Sequence, residues 1–121
     1  MVYYKIVESK DGKKVKQYYL TQGDTFQNQL DVLNKDGEII SPSLIKKVEF
    51  KLSNIDYKYE FSQEYEFNEE IGKWEITIPT EKTSEFAIDT HIYEYQITYV
   101  NGVVSTPVQA KFIVTDQIKG E

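Results

Sequence analysis

Alternation with a period of two is the feature that most limits what this chain can fold into. Trp74, Ile76 and Ile78 share one side of a segment whose other side is Lys73, Glu75 and Thr77. Val48, Phe50 and Leu52 are set against Lys47, Glu49 and Lys51 in the same way. Tyr93, Tyr95, Ile97 and Tyr99 alternate with Ile92, Glu94, Gln96 and Thr98, and Val104, Thr106, Val108, Ala110, Phe112 and Val114 line one side of the last run. Phe26, Leu30 and Val32 share a side that Asn28 interrupts. A strand throws successive side chains to opposite faces, so each run has a dry side and a wet side, as in antiparallel sheets packed face to face. Composition agrees: ten tyrosines and six phenylalanines suit pleated, half-buried surfaces, and alanine occurs only at Ala87 and Ala110.

The punctuation between runs is that of hairpins. Asp11-Gly12, Asp36-Gly37 and Asn101-Gly102 each sit between strand-like segments. Asx-Gly tolerates positive φ at both residues, which predicts tight primed turns, and Asn101-Gly102 is expected to join the last two strands as an antiparallel pair. Residues 79–88 break the alternation. Thr80 as an N-cap with Glu81 in the first turn predicts a short helical turn that crosses between sheets. In residues 55–70, Ile55, Tyr57, Tyr59 and Phe61 alternate, as do Tyr65 and Phe67, which predicts two short strands joined near residues 62–64.

A chain of 121 residues has the size of one domain and can bury a core without staples. The expectation is therefore a single all-β domain over residues 1–121, an immunoglobulin-like antiparallel β-sandwich of about seven to nine strands. Residues 1–20 are expected to add an N-terminal hairpin extension turning at Asp11-Gly12. The segment Asp89-Thr90-His91-Ile92-Tyr93-Glu94-Tyr95 resembles the tyrosine corner of immunoglobulin-like folds. In that resemblance Tyr93 is the corner residue and Tyr95 holds the place of the second disulfide cysteine of antibody domains.

The chain offers little for catalysis. It has no cysteine, hence no disulfide and no thiolate metal site, and a single histidine, His91, which excludes a histidine pair for zinc. His91 reads as a surface or corner residue. Glu64, Glu66, Glu69 and Glu70 could supply paired carboxylates, but a solvated edge explains them better, because a general acid must be held partly buried. Asp24, Asp31, Asp36 and Glu38 lack the dense oxygen spacing of a calcium loop. The dispersed glycines make no phosphate cradle. No catalytic, cofactor-binding or metal-binding residue is expected, nor any cofactor, and the chain is read as a non-enzyme.

Partners follow from charge and exposed rings. A net charge of −6, with lysines interleaved among acids, repels phosphate backbones and argues against nucleic acid. No apolar run approaches a membrane span, and Met1-Val2-Tyr3-Tyr4-Lys5 lacks the apolar core of a signal peptide. Adjacent tyrosines place one ring on each face of a strand, so Tyr3 and Tyr4, and Tyr18 and Tyr19, together with Tyr57 and Tyr59, form the candidate contact surface. Such rings serve a protein interface or, less well, stack on a sugar.

An ordered series of motifs over residues 21–116 gives a family resemblance. It starts at Gly23-Asp24-Thr25-Phe26, passes Asp36-Gly37, Val48-Glu49-Phe50-Lys51-Leu52 and Trp74-Glu75-Ile76-Thr77-Ile78-Pro79-Thr80-Glu81, and ends at Tyr93-Glu94-Tyr95-Gln96-Ile97, Asn101-Gly102 and Phe112-Ile113-Val114. The series resembles small immunoglobulin-like structural domains of tailed phages and prophages, such as the N-terminal domain of phage baseplate upper proteins. That resemblance implies a non-enzymatic virion structural or accessory protein, of tail, baseplate or head, made in the bacterial host cytoplasm. It would contact other virion proteins, as a homo-oligomer or in a symmetric assembly. The alternative is a carbohydrate- or cell-surface-binding immunoglobulin-like module.

Overall fold

The computed structural model describes residues 17–118 and, for Val2–Val7, the backbone. The strands are β1 (Val2–Val7), β2 (Tyr18–Thr21), β3 (Phe26–Leu33), β4 (Ile45–Ser53), β5 (Tyr59–Asn68), β6 (Lys73–Ile78), β7 (Thr90–Tyr99) and β8 (Val104–Thr115), with a 3-10 turn at Pro42–Leu44 and a short α-helical turn, α1 (Thr80–Thr83). Hydrogen bonding runs β1-β3-β6-β5-β4-β7-β8-β2. This ribbon is folded over into an immunoglobulin-like sandwich, and the fold line is β5. Its first part pairs with β4 as far as Tyr65, and its last part, from Glu66, pairs with β6. One sheet is β1, β3, β6 and the end of β5; the other is the start of β5, β4, β7, β8 and β2.

Two expectations are corrected here. Residues 55–70 do not hold two strands joined at 62–64. They hold one strand that changes sheets, and the polar residues that suggested a turn sit at the bend, where Gln63 donates to the Thr77 carbonyl (3.0 Å). Residues 1–20 do not form a hairpin extension either. β1 pairs parallel with β3 and β2 pairs parallel with β8, so the two strands belong to opposite sheets. Asp11-Gly12 lies outside the described residues. Tyr18 and Leu20 are core residues, not the return strand of an arm.

The core follows the alternation. Trp74, Ile76, Ile78, Val48, Phe50, Leu52, Tyr95 and Ile97 are all buried in one cluster. The last strand departs from its pattern at one end: Val104 is exposed although Val108, Phe112 and Val114 are buried. Between the pairs Tyr95↔Val108 and Ile97↔Ser105 the register slips by one residue. A one-residue bulge flips every side chain beyond it, and Pro107, which has no N–H to give, sits inside the slip.

Asn28, the polar interruption on β3, is 1% exposed and forms the hub of the interior. Its Nδ2 lies within bonding distance of the hydroxyl oxygens of Tyr18 (2.9 Å), Tyr65 (2.8 Å) and Tyr95 (2.5 Å). The Tyr18 and Tyr95 hydroxyls also bond each other (2.5 Å), and Tyr65 donates to Tyr95 (3.2 Å). Asn28 belongs to one sheet and Tyr95 to the other, on the strands that in antibody domains carry the inter-sheet disulfide. Here a hydrogen-bonded amide and phenol hold that place. Burial pushes the Tyr65 and Tyr95 hydroxyls well above their ordinary 10.0, so both remain neutral donors. Around them Tyr93 is stacked on Phe50 (17° between planes) and tilted against Tyr18, in a continuous aromatic packing that includes Phe26 and Phe112.

The turns are hairpin turns, but not the primed type. Gly37 and Gly102 have positive φ while Asp36 and Asn101 do not. Tyr99 N donates to Val103 O and Gly102 N to Tyr99 O, a three-residue loop closed by a left-handed glycine. It joins β7 and β8 antiparallel, as expected. The crossover at 79–88 also runs between sheets as expected, but Pro79 is the N-cap of α1 and no side chain caps it. The anchoring residue is Thr83, fully buried, whose hydroxyl donates to Asp24 O (2.7 Å).

Candidate contact surface

The β4–β5 turn is built by one side chain. Asn54 Oδ1 accepts from the amides of Asp56 (2.9 Å) and Lys58 (3.0 Å), while Tyr57 N donates to Asn54 O and Asn54 N to Lys58 O. This network closes the loop with a left-handed residue at position 57. The occupant is Tyr57, with φ +61°, the one non-glycine residue with positive φ among the described residues. A bulky side chain there costs about 1–2 kcal/mol relative to an ordinary conformation. The ring gains no core burial in return: Tyr57 is 65% exposed, flanked by Ile55 at 61% and Tyr59 at 70%.

Tyr59 faces outward because the β4–β5 register shifts at Leu52/Ser53, which pairs Ser53 with Tyr59 and passes over Glu60. Tyr57 then stands between two shallow clefts on the outer face of the β4-β7-β8 sheet. One, of about 240 Å³, is shared with Lys51, Ser53, Tyr59, Ile92 and Glu94. The other, of about 300 Å³, is shared with Ile55, Thr90, Ile92, Gln109 and Lys111. The arrangement is an aromatic and aliphatic centre with a polar, lysine-bearing rim, the anatomy of a contact surface.

The candidate tyrosines therefore separate. Tyr57 and Tyr59 come together at this tip. Tyr19 is 69% exposed on the same sheet, at the far edge, where it pairs with Ile113. Tyr18 is corrected: at 4% exposure, with its hydroxyl in the Asn28 hub, it has no surface to offer. Tyr3 and Tyr4 lie opposite Gln29 and Leu30 in the β1–β3 ladder, and their side chains lie outside the described residues. A sequence signal for the special status of Tyr57 does exist. Asn34-Lys35-Asp36-Gly37-Glu38 and Asn54-Ile55-Asp56-Tyr57-Lys58 are the same turn, and aligning them puts Tyr57 in a glycine slot.

The other chemistry-bearing groups have structural settings. Glu64, Glu66, Glu69 and Glu70 are exposed, along a cleft of about 820 Å³ at the end of β5. Glu66 sits directly across from Glu75. Hydrogen bonds from Gln29 and Asn68 hold the Glu75 carboxyl below its ordinary range. Asp31 is buried and paired with Lys73 (3.3 Å). Asp36 and Glu38 give their backbone amides to the Asn34 turn. Among the described residues, no group of three or more metal-ligating side chains gathers. No described helix is long and apolar enough to cross a membrane.

His91 is not a surface residue. It is 2% exposed, on the inward row of β7 with Tyr93 and Tyr95. Nε2 lies 2.7 Å from Ala87 O and Nδ1 2.6 Å from Glu60 Oε1. Both partners are acceptors, so both bonds form together when the ring carries both N–H groups. His91 thus reaches back to an upstream carbonyl at this corner and ties the crossover, β5 and β7 together.

No family model matches the chain, and no curated protein matches it. Solved structures do. The N-terminal domain of phage TP901-1 ORF48 superimposes with a TM-score of 0.64 at 9% identity, covering 94% of this chain and 97% of that one. CopC from Methylosinus trichosporium OB3b matches with a TM-score of 0.49 at 7% identity over 89% and 91% of the two chains. Fibronectin(III)-like modules of Clostridium thermocellum CbhA match at 0.47 and 11% over 87% and 93%. The likeness to the phage domain is one of fold, end to end, and the resemblance read from the motif series holds at that level.

Proposed function

We propose that this chain is a non-enzymatic structural or accessory component of a tailed-phage particle, in tail, baseplate or head, and that it works through protein–protein contacts. The observation that carries this reading is the end-to-end fold likeness to the N-terminal domain of a phage protein. The exposed tyrosine tip supports it, because Ile55, Tyr57 and Tyr59 are left in water side by side where a partner could cover them. On this reading the chain is made in the bacterial host cytoplasm and ends in the virion. The test is composition. Antiserum against the chain should label gradient-purified tailed particles from the encoding strain, and peptide mass spectrometry should recover it in fixed ratio to the major capsid protein. Complete particles that lack the chain would overturn the proposal.

A carbohydrate- or cell-surface-binding module is the second reading. The ring of Tyr57 between clefts that hold Ser53, Glu94 and Gln109 favours it, since sugars are held by stacking plus hydrogen bonds. A glycan array with Tyr57→Ala as the control tests it directly.

A further inference from the structure

We infer that Asn101 is a self-modification site: its side chain closes on the backbone nitrogen of Gly102, and the β7–β8 tip ages there to aspartate and isoaspartate.

The residue that follows each asparagine singles out the position. Of the five asparagines, Asn101 alone precedes a glycine; Gln29, Lys35, Ile55 and Glu69 follow the other four. The chemistry is a ring closure in which the nitrogen of the next residue attacks the asparagine Cγ. A side chain on that next residue crowds the approach and stiffens the backbone, and glycine removes both obstacles. Local bonding points the same way. Asn28 is buried in the hub. Asn34, Asn54 and Asn68 each hold two backbone amides on Oδ1, which ties the side chain to its own loop. Asn101 Oδ1 accepts one amide, that of Val103 (3.0 Å), and its Nδ2 bonds to nothing among the described residues. The leaving group therefore stands free in water.

One bond opposes the attack. Gly102 N donates to Tyr99 O (3.0 Å) and must let go first. Residues 100–104 are all exposed, so the tip opens without uncovering the core, and such openings lie at the low end of a fold's range of local stabilities. On opening, the Gly102 nitrogen bonds to Cγ, the Cγ–Nδ2 bond breaks, and Nδ2 leaves as ammonia with the proton that Gly102 gives up. Solvent water then splits the cyclic imide on either side. One cleavage restores the main chain with aspartate at 101; the other routes the main chain through the side chain, as isoaspartate.

The products act differently on the turn. Aspartate keeps an oxygen for the Val103 amide. Isoaspartate inserts an extra methylene into the loop, so the bonds Tyr99 N to Val103 O and Gly102 N to Tyr99 O no longer close over the same atoms. Either product sets a carboxylate beside Val100, Val103 and Val104, which are exposed at this tip. The tip thus gains a charge with time, and in the isoaspartate form it loses its closure.

Peptide mapping by mass spectrometry tests this on the full-length chain, held at neutral and at alkaline pH. A synthetic peptide of residues 97–106 runs beside it as the clock. Residue 101 should exchange its amide for a hydroxyl, more slowly than in the peptide, and faster at alkaline pH because the attacking nitrogen must lose its proton. A methyltransferase specific for isoaspartate should label the product, and amide exchange at Val103 should quicken in the labelled fraction. Asn101→Gln should keep the circular dichroism of the wild type and lose the mass gain completely. A folded chain that retains Asn101 after the peptide has fully converted overturns the proposal, since the turn would then be a shield. So does earlier conversion at Asn28, Asn34, Asn54 or Asn68, or a mass gain that persists in Asn101→Gln.

Discussion

Two turns in this molecule have the same bonds and different residues at the same place. In 34–38, Asn34 Oδ1 accepts from the amides of Asp36 and Glu38, and Gly37 N donates to Asn34 O with φ +83°. In 54–58, Asn54 does the same for Asp56 and Lys58, and Tyr57 stands in the glycine's place at φ +61°. The backbone asks for the same thing twice and is answered once at no steric cost and once at a cost. The contrast widens across the tyrosines. Tyr18, Tyr65, Tyr93 and Tyr95 fill the core, while Tyr19, Tyr57 and Tyr59 stand in water. One residue type serves two ends here: buried, as a large ring with a hydroxyl that a hub can satisfy; exposed, as a rigid contact group.

The largest effect should come from removing residues 1–20. Tyr18 and Leu20 leave the core with them. An aromatic truncation costs about 3–5 kcal/mol and a leucine about 2–5, together comparable to the whole stability of an ordinary domain, about 5–15 kcal/mol. The truncated chain should show no cooperative thermal transition. A folded, stable truncation would return the segment to the role of a separate arm.

Next is the hub. Asn28→Ala should cost about 2–3 kcal/mol, because it takes two N–H donors out of a cluster of three buried hydroxyls. Asn28 Oδ1 is itself buried without a partner, so some desolvation is recovered and the loss should not exceed that range. Chemical denaturation measures it, and Tyr59→Ser in parallel should move stability by less than about 0.5 kcal/mol.

The same hub predicts an alkaline limit. The Tyr65 and Tyr95 hydroxyls are raised by burial above 10.0 in the folded chain and titrate near that value when unfolded. Above that pH the folded state binds more protons than the unfolded one, so stability is intact below 10 and falls as pH rises from there towards the folded values. Ultraviolet titration should show the Tyr65 and Tyr95 hydroxyls ionising only with unfolding. A single titration step without loss of fold would remove this account.

How far the sequence could be read follows from the same physics. The faces of β4, β6 and β7 were legible because a sheet that buries one side must alternate, and Trp74, Phe50 and Tyr95 are where that pattern puts them. Val104 was not, because a bulge changes the count without changing the composition. β5 was misread because Gln63 and Glu64, polar residues in mid-strand, look like a turn when the strand is leaving one sheet for another. Asn28 read as a blemish because its partners are far away in sequence. At the candidate site, the exposed tyrosines were visible as a group, but Tyr18 could not be told from Tyr19 without knowing which face of β2 looks inward. The strain at Tyr57 shows only when the two Asn-x-Asp turns are laid side by side.

The smallest effect is the sharpest test of that alignment. Tyr57→Gly removes a left-handed penalty of about 1–2 kcal/mol and returns to the unfolded chain about 0.4–1 kcal/mol of glycine freedom. The monomer should therefore gain roughly 0.5–1 kcal/mol. Gly37→Tyr should lose a similar amount, since a Cβ there meets no atom within 4 Å and only the backbone resists. Made together, the two substitutions exchange the turns and should nearly cancel, because they share no partner. Calorimetry on the three variants checks it. If Tyr57→Gly lost stability instead, the ring would be supporting the monomer through its neighbours Ile55 and Ile92.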